Sequence, residues 1–394
     1  MNHGNQGNQM NHSSDAHKRN SWISSIATRW HLWAGIAISV AMLLFFYRQL
    51  EPGELKTLLA EANYVYLIPA IALYFVGVYF RAYRWQYLLA PMRRFPVRRL
   101  YPVVIVGYTA NNLLPMRLGE LVRSYHLARQ ENFSASSALG SVAVERVFDG
   151  LTLVAVVAVA APWLLLMGIF SDGAGVSQST AIVLAVAVGA VFGGFLLFFT
   201  LLAAWSGFAS LIERFLILLP AKLQAPALRF FRSFVSALGI LSSPRKHLML
   251  VLLSLPVWLG EGSVYFLVSY SFDIGSYYDS MLAYVLVIAL LTATSNLATG
   301  IPSAVGGIGP FEVVAQQTLI ALGVGATVAG AYSVFVHLVA LWLPVNIAGL
   351  AIIVVILLKQ SLSLKQLLGA PADESDELVD GRPAANSSPA GGAP

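Results

Sequence analysis

The sequence contains no cysteine, which excludes disulfide bonds, thiolate metal sites and cysteine nucleophiles. Charge is also scarce, since 11% of residues are charged and 57% are hydrophobic, whereas soluble domains carry about 25% charged residues. No GxxxxGK[S/T] phosphate-binding motif occurs, and Gly307-Ile308-Gly309 lacks the third glycine and the strand of a dinucleotide site. We therefore expect an all-α polytopic membrane protein that uses no cofactor or metal and is not an enzyme.

The formal net charge of +5 does not indicate nucleic acid as a partner. The basic residues lie in short clusters beside apolar runs, as they do in the cytoplasmic loops of membrane proteins. Residues 247–358 contain no Lys or Arg at all. The charge pattern therefore favours membrane lipids as partners.

The apolar runs predict about eight spanning helices of roughly 20 residues, with one or two re-entrant or broken helices between them. Residues 1–28 and 361–394 are polar or rich in Pro, Gly and Ala, and they are predicted to be disordered cytoplasmic tails around a membrane domain at 29–360. The first apolar run has no small-residue cleavage site after it and is interpreted as a retained span. The predicted spans lie near 31–47, 64–80, 147–170, 180–205, 248–272, 280–301, 311–330 and 332–358.

Orientation follows from the Lys and Arg content of short loops. The segments 81–99 and 206–246 carry six basic residues each, so both are predicted to be cytoplasmic. The connections near Asp172 and between Asp273 and Asp279 have no basic residue and are predicted to face outward. Both termini are then predicted to be cytoplasmic. Residues 208–241 are predicted to lie on the inner leaflet, with an apolar face and an arginine face.

Two segments interrupt the apolar pattern in the same way, with asparagine, proline, glycine and then a glutamate that opens a new helical run. The first contains Asn111, Asn112, Pro115, Arg117, Gly119 and Glu120, and the second contains Asn296, Pro302, Gly306, Gly307, Gly309 and Glu312. Non-helical backbone at membrane depth occurs only inside protein or beside a wet cavity. The pair indicates an internal repeat and a binding site. The alternative is that the prolines merely kink helices and that Glu120 complements a helix dipole.

Ionisable residues inside apolar runs are expensive in a membrane and indicate function. Glu261 lies midway along its run, and Glu312 has no basic neighbour in the sequence, so its partner must be another element, a substrate or a proton. Arg146 and Asp149 are spaced i,i+3 and can pair on a helix, and Glu145 then needs Arg117 or Arg123. A purely structural ion cluster explains these residues as well. His337 is interpreted as a packed helix histidine.

At these motifs the chain resembles the lysylphosphatidylglycerol synthase transmembrane-region family of flippase-like membrane proteins. The resemblance rests on Asn112 to Glu120, on Glu145-Arg146 with Asp149, and on Pro302 to Glu312. It implies a membrane domain that moves or exposes lipids. In some relatives this domain is joined to an aminoacyltransferase, and other relatives are stand-alone membrane proteins associated with glycosyltransferase functions. The sequence ends about 35 residues after its last apolar run, so we expect no transferase domain here.

The first hypothesis is a lipid translocase of the bacterial inner membrane, with an anionic phospholipid or a polyprenyl-phosphate-linked lipid as substrate. Headgroup binding is predicted at Asn111, Asn112, Pro115, Arg117, Gly119, Glu120 and Arg123, beside the ion cluster of Glu145, Arg146 and Asp149. A switch or proton site is predicted at Glu261, Asn296, Pro302, Gly306, Gly307, Gly309 and Glu312. The alternatives are an integral-membrane enzyme acting on a lipid headgroup and a non-catalytic partner of a glycosyltransferase or lipid synthase. A homo-oligomer stays open.

Overall fold

The computed structural model describes residues 30–114, 118–170, 244–301 and 305–360, with part of the stretch between 194 and 235. Every regular element in these ranges is helical, which confirms the predicted all-α class. The helices are α1 (Trp30–Tyr47), α2 (Pro52–Glu61), α3 (Leu67–Leu89), α4 (Val97–Leu113), α5 (Gly119–Glu131), α6 (Ala135–Leu166), α7 (Ser206–Ile217), α8 (Pro244–Tyr270), α9 (Met281–Ala298), α10 (Pro310–Ala321), α11 (Ala326–Val334) and α12 (Leu343–Gln360). A π-helical stretch, Phe335–Trp342, joins α11 to α12.

Five helices in the described ranges are long and apolar enough to cross a membrane, and a sixth span arises if α1 and α2, bent by 87°, are counted together. The predicted count of about eight is therefore not confirmed. The tails and nearly all of the predicted span at 180–205 lie outside the described residues. The predicted division into 311–330 and 332–358 differs from the structure, because the chain turns at Gly323 and a continuous run extends from Ala326 to Leu358.

Two predicted boundaries place charged residues differently from the structure. The span predicted at 64–80 continues to Leu89, so Arg81 and Arg84 belong to α3 rather than to a loop. The span predicted at 147–170 begins at Ala135, where Ser134 caps the helix by accepting from the Ser137 N–H at 3.3 Å. The motif Glu145-Arg146 therefore lies inside α6 and not at its entrance.

Helices α4 and α5 form a hairpin whose arms run antiparallel. Its tip falls where the sequence predicts, because Leu114 precedes a proline and takes an extended conformation with φ −102° and ψ 143°. A Cβ atom at Gly119 would lie 2.0 Å from the Gly107 carbonyl oxygen, and a Cβ at Gly107 would lie 2.9 Å from Cβ of Arg123. The two glycines therefore permit the arms to touch.

Helices α9 and α10 form a second hairpin. The Thr294 and Thr318 hydroxyls are 3.1 Å apart across it, and its tip runs from Thr299 to Gly309. Three glycines of this tip, Gly306, Gly307 and Gly309, have φ of 58°, 80° and 98°, which a residue with a side chain adopts only with strain. Pro310 then opens α10 at a position that needs no backbone donor.

The element order repeats: a long helix, a hairpin and a second long helix run from α3 to α6 and again from α8 to α12. The packing repeats as well, since α4 lies against α12 while α9 lies against α6. Helices α3 and α8 cross antiparallel, with Arg84 donating to Ser254 at 2.8 Å and Ser271 donating to the Asn63 carbonyl at 2.9 Å. The described residues thus have the pattern of an inverted repeat, the architecture in which transporters bind substrate at the repeat interface.

Candidate functional site

The two hairpin tips meet. A Cβ atom at Gly306 would lie 3.2 Å from the Asn112 carbonyl oxygen and 2.8 Å from Nε1 of Trp342. Because Gly306 has no side chain, the second tip can pack closely against the first tip and against the π-helical stretch. Helix α1 covers the second tip from another side, where the Ser39 hydroxyl donates to the Ile308 carbonyl at 3.0 Å.

A cavity of about 680 Å³ opens between these tips and helices α3, α6 and α8. This volume lies within the roughly 300–1,000 Å³ usual for small-molecule sites. The first hairpin contributes Tyr108, Leu114 and three predicted residues, and the described part of the second tip contributes residues 299–301 and 305–307. The predicted residues that line it are Asn111, Asn112, Glu120, Arg146, Asp149, Glu261, Asn296, Gly306 and Gly307.

One wall of the cavity is a buried network of arginines and carboxylates from four helices. Arg123 of α5 binds both oxygens of Glu145, at 3.1 and 2.9 Å. Arg123, one of the two predicted cations, is therefore a partner of Glu145. Arg146 contacts Glu145 at 2.7 Å and Asp149 at 3.0 Å. The predicted i,i+3 pair is therefore present, and the network ties α5 to α6.

Helix α3 contributes two further arginines to the network. Arg84 contacts Asp149 at 2.7 Å, and Arg81 contacts Glu261 of α8 at 2.5 Å and Asp149 at 3.5 Å. The sequence analysis placed both arginines in a loop, and that placement was wrong, because they belong to α3. The apolar positions Val78, Ala82, Trp85 and Leu89 continue the helical period past residue 80, and this period was the signal for a longer helix.

Most of the network is closed to water, apart from the Arg146 and Glu120 side chains, which are 26% and 30% exposed, and the charges of its described members balance. Arg84 and Glu145 are each 1% exposed. Its four arginines face four carboxylates, because Glu120 also contacts Arg146, at 3.9 Å. A buried charge without a partner is strongly destabilising, so each member requires the others. The same groups thus hold the helices together and give one wall of the cavity its charges.

A different ionisable pair lies at another part of the cavity wall, where only its histidine lines the cavity. Oε1 of Glu312 lies 2.6 Å from Nδ1 of His337, and Oε2 accepts the Gly309 N–H at 2.7 Å. The His337 ring stacks on Phe311 with centroids 4.0 Å apart. Glu312 is buried behind the wall, whereas His337 lines the cavity. The partner that Glu312 was predicted to need from another element is therefore His337. The sequence analysis had interpreted this histidine as a packed helix residue.

Not every predicted residue faces the cavity. Gly119, Arg123, Glu145 and Gly309 pack beside it and position the residues that line it. Pro115, Arg117 and Pro302 lie outside the described residues. Sequence reasoning also missed Trp258 and Trp342, whose indole rings reach the cavity. Within the described ranges, no three His, Asp or Glu side chains are grouped as a metal site.

The predicted interfacial segment is described only in part. Helix α7 lies within it, and Phe231 and Val235 pack against the core of the first half. Arg232 is exposed and binds Glu213 at 3.0 and 3.1 Å, and these hydrogen bonds lower the pKa of Glu213.

The helices define the class, an integral membrane protein, and charged and polar side chains line the cavity between its hairpin tips. More narrowly, the chain belongs to the lysylphosphatidylglycerol synthase TM region family, whose sequence model matches residues 32–349. A glycosyltransferase named AglD from Haloferax volcanii is 30% identical over 129 residues, which are 32% of this chain and 21% of that protein. A UPF0104 membrane protein from Methanothermobacter thermautotrophicus is 31% identical over 118 residues, 29% of this chain and 34% of that protein.

The matched segments thus span about a fifth and a third of these two curated relatives. No solved structure matches the chain. The family resemblance predicted from the motifs is confirmed, and it covers the helices that build the cavity.

Proposed function

We propose that the protein is a lipid translocase of the bacterial inner membrane, which admits a lipid headgroup to the cavity while the acyl or prenyl chains stay in the bilayer. The observation that carries the proposal is the meeting of two broken-helix tips at one polar cavity. Transporters built from inverted repeats bind their substrates at such broken helices. Arg117 is proposed to contact the headgroup phosphate.

The two walls are proposed to play different parts. Glu261 is paired with Arg81 at 2.5 Å and belongs to the structural network. Glu312 has no arginine or lysine partner among the described residues and contacts only a histidine side chain. We therefore assign the coupled proton to the Glu312 and His337 pair.

The test is transbilayer movement in proteoliposomes, with fluorescent lipids quenched from outside. An anionic phospholipid, a zwitterionic phospholipid and a polyprenyl phosphate are compared. The wild type is expected to expose at least one of them, and Glu312→Gln is expected to abolish that movement because the carboxylate can no longer accept a proton. Glu54→Gln, an exposed position in α2, is the matched control. No movement of any lipid by the wild type would refute the proposal.

A second candidate is an enzyme that modifies a lipid headgroup. The observation that favours it is the arrangement of Glu312 behind His337, because a carboxylate that orients an imidazole toward a cavity is the geometry of a general base. The relative named a glycosyltransferase points the same way. Mass spectrometry of lipids incubated with the purified protein separates the two functions: a new covalent product indicates the enzyme, and an altered leaflet distribution alone indicates the translocase.

A further inference from the structure

An exposed group of arginines lies at one end of the molecule, where α3 ends and α4 begins. We call Arg93, Arg94, Arg98 and Arg99 the arginine patch, and all four residues are exposed. Glu131 contacts Arg99 at 2.9 Å and Arg93 at 3.8 Å. The described part of the chain supplies no partner for Arg94 or Arg98. The patch therefore has an excess of positive charge, with four arginines against one contacting glutamate.

Helix α12 ends level with this patch because it runs antiparallel to α4. The Thr109 hydroxyl donates to the Val345 carbonyl near the start of α12, at 3.0 Å. Further along α12, Ile352 packs against the cluster that contains Val106. From that contact, α12 continues for eight residues to its end, and α4 extends eight residues back to Arg98. Both distances are about 12 Å at the helical rise of about 1.5 Å per residue.

The sequence after α12 contains an acidic segment. Residues 373–380 include five carboxylates and no basic residue, and they lie outside the described residues. The segment begins 13 positions after Gln360, the last residue of α12. A chain of that length reaches up to about 43 Å, which is ample for a return to the arginine patch. The carboxylates are those of Asp373, Glu374, Asp376, Glu377 and Asp380.

Charge and connectivity both favour this segment as the partner of the patch. Carboxylates bind arginine through paired hydrogen bonds, and the five in the segment are enough to balance the excess charge of the patch. Short tethers give effective concentrations in the millimolar range, so several contacts that are individually weak between exposed charges act together. Anionic lipid headgroups, which basic loops also attract, are the competing partner.

We propose that the acidic segment 373–380 docks on the arginine patch, with Arg94 and Arg98 as its principal contacts. Glu131 leaves these two arginines to the segment, because it already binds the other two. The inference is independent of the proposed function, since the contact lies at the end of α4 opposite the hairpin tip and outside the cavity.

The cysteine-free chain allows a direct test by disulfide formation. Met92→Cys places a thiol beside the patch, at a position 39% exposed, and Ser375→Cys places one within the acidic segment. The full chain with both changes is held in nanodiscs of zwitterionic phospholipid and oxidised with copper phenanthroline, and the intramolecular disulfide is followed by mass spectrometry. The comparison chain has the five carboxylates replaced by amides.

Each exposed ion pair contributes a factor of up to about five, so the acidic segment is expected to form the disulfide at least about fivefold faster than the amide segment. In 1 M salt, where charges are screened beyond about 3 Å, this advantage is expected to disappear. Ser276→Cys, in the turn at the other end of α8, replaces Met92→Cys as the position control and is expected to form no disulfide. Equal rates for the acidic and amide segments would overturn the inference.

Arginine variants locate the contact. Arg94→Gln combined with Arg98→Gln is expected to slow disulfide formation to the rate of the amide segment. Arg214→Gln, at an exposed position of α7, is the matched control and is expected to leave the rate unchanged. An unchanged melting midpoint shows that each variant is folded. If the rate does not depend on Arg94 and Arg98, the patch is left to anionic lipid headgroups and the docking site is wrong.

Discussion

At the residue scale, Glu145 is the centre of the buried network. Arg123 binds it in a bidentate manner, Arg146 contacts it at 2.7 Å and Arg84 at 3.7 Å. The Arg123 guanidinium also lies 3.7 Å from the Trp85 ring centroid, so it has no room to reach water. Loss of the carboxylate charge would leave three guanidiniums with one carboxylate partner fewer.

We expect Glu145→Gln to lower the free energy of unfolding by about 3 to 5 kcal/mol, as other broken buried ion pairs do. The amide keeps the size of the side chain, so the effect comes from charge and not from volume. Thermal unfolding in detergent measures it.

Glu213→Gln is the matched control, because it makes the same chemical change in the exposed pair with Arg232. Exposed ion pairs contribute little to stability, and this variant is expected to melt at the wild-type temperature. Equal melting of both variants would show that the network is dispensable for stability.

The sequence contained most of this network but not its geometry. Glu145, Arg146 and Asp149 stand together in the chain, and their i,i+3 spacing predicts a contact that the structure contains at 3.0 Å. Arg81 was missed because a count of basic residues does not distinguish the end of a helix from a loop. The sequence analysis noted His337 but did not pair it with Glu312, because the two residues are 25 positions apart and lie on different helical elements.

At the element scale, the crossing of α3 and α8 brings the two halves together. The contact is close because two glycines face each other, and a Cβ at Gly260 would lie 3.2 Å from the Gly77 Cα. Small residues at such crossings let membrane helices approach and gain van der Waals contact. The Arg81 and Glu261 contact, one residue further along α8, depends on this approach.

Gly260→Ala is expected to push α3 and α8 apart and to destabilise the protein by about 1 to 3 kcal/mol, the usual cost of overpacking. Gly262→Ala, two residues along the same helix, is the control, since its Cβ would lie 3.9 Å from the nearest atom, the Thr292 hydroxyl oxygen. That replacement is expected to be neutral or to stabilise by up to about 1 kcal/mol. Thermal unfolding of both variants is the measurement, and an undisturbed Gly260→Ala protein would contradict the account of the crossing.

The hairpin tips were the most predictable elements, because proline and glycine act locally. A residue before proline is disfavoured in the helical region, which accounts for the extended conformation of Leu114. Gly309 adopts a positive φ that favours glycine, and Pro310 takes the first position of α10, where no backbone N–H is needed. The bounds of α10 were not predictable in the same way. Residues 313–330 contain no charged residue, so hydropathy alone does not reveal the turn at Gly323, which has φ 94°.

At the scale of the whole molecule, the two halves repeat their helices but not their charges. The first half supplies the four arginines, and residues 247–358 of the second half contain no Lys or Arg. Arg93 and Arg99 bind Glu131 at the surface beyond α3 and α5, at the end of the molecule predicted to be cytoplasmic. The connection between α8 and α9 lies at the opposite end of the antiparallel α3 and α8 pair, and it carries only acidic charge.

This asymmetry predicts orientation, and the cysteine-free chain makes the test direct. Met92→Cys, in the loop after α3, and Ser276→Cys, in the turn after α8, place single thiols at exposed positions at the two ends. In intact bacterial spheroplasts, a membrane-impermeant maleimide is expected to label Ser276→Cys and not Met92→Cys, because basic loops stay in the cytoplasm. After permeabilisation both variants are expected to react, and the wild type has no thiol to react in either case. The reversed pattern would place the arginine-rich end outside, and the headgroup would then enter the cavity past these arginines from the outer leaflet.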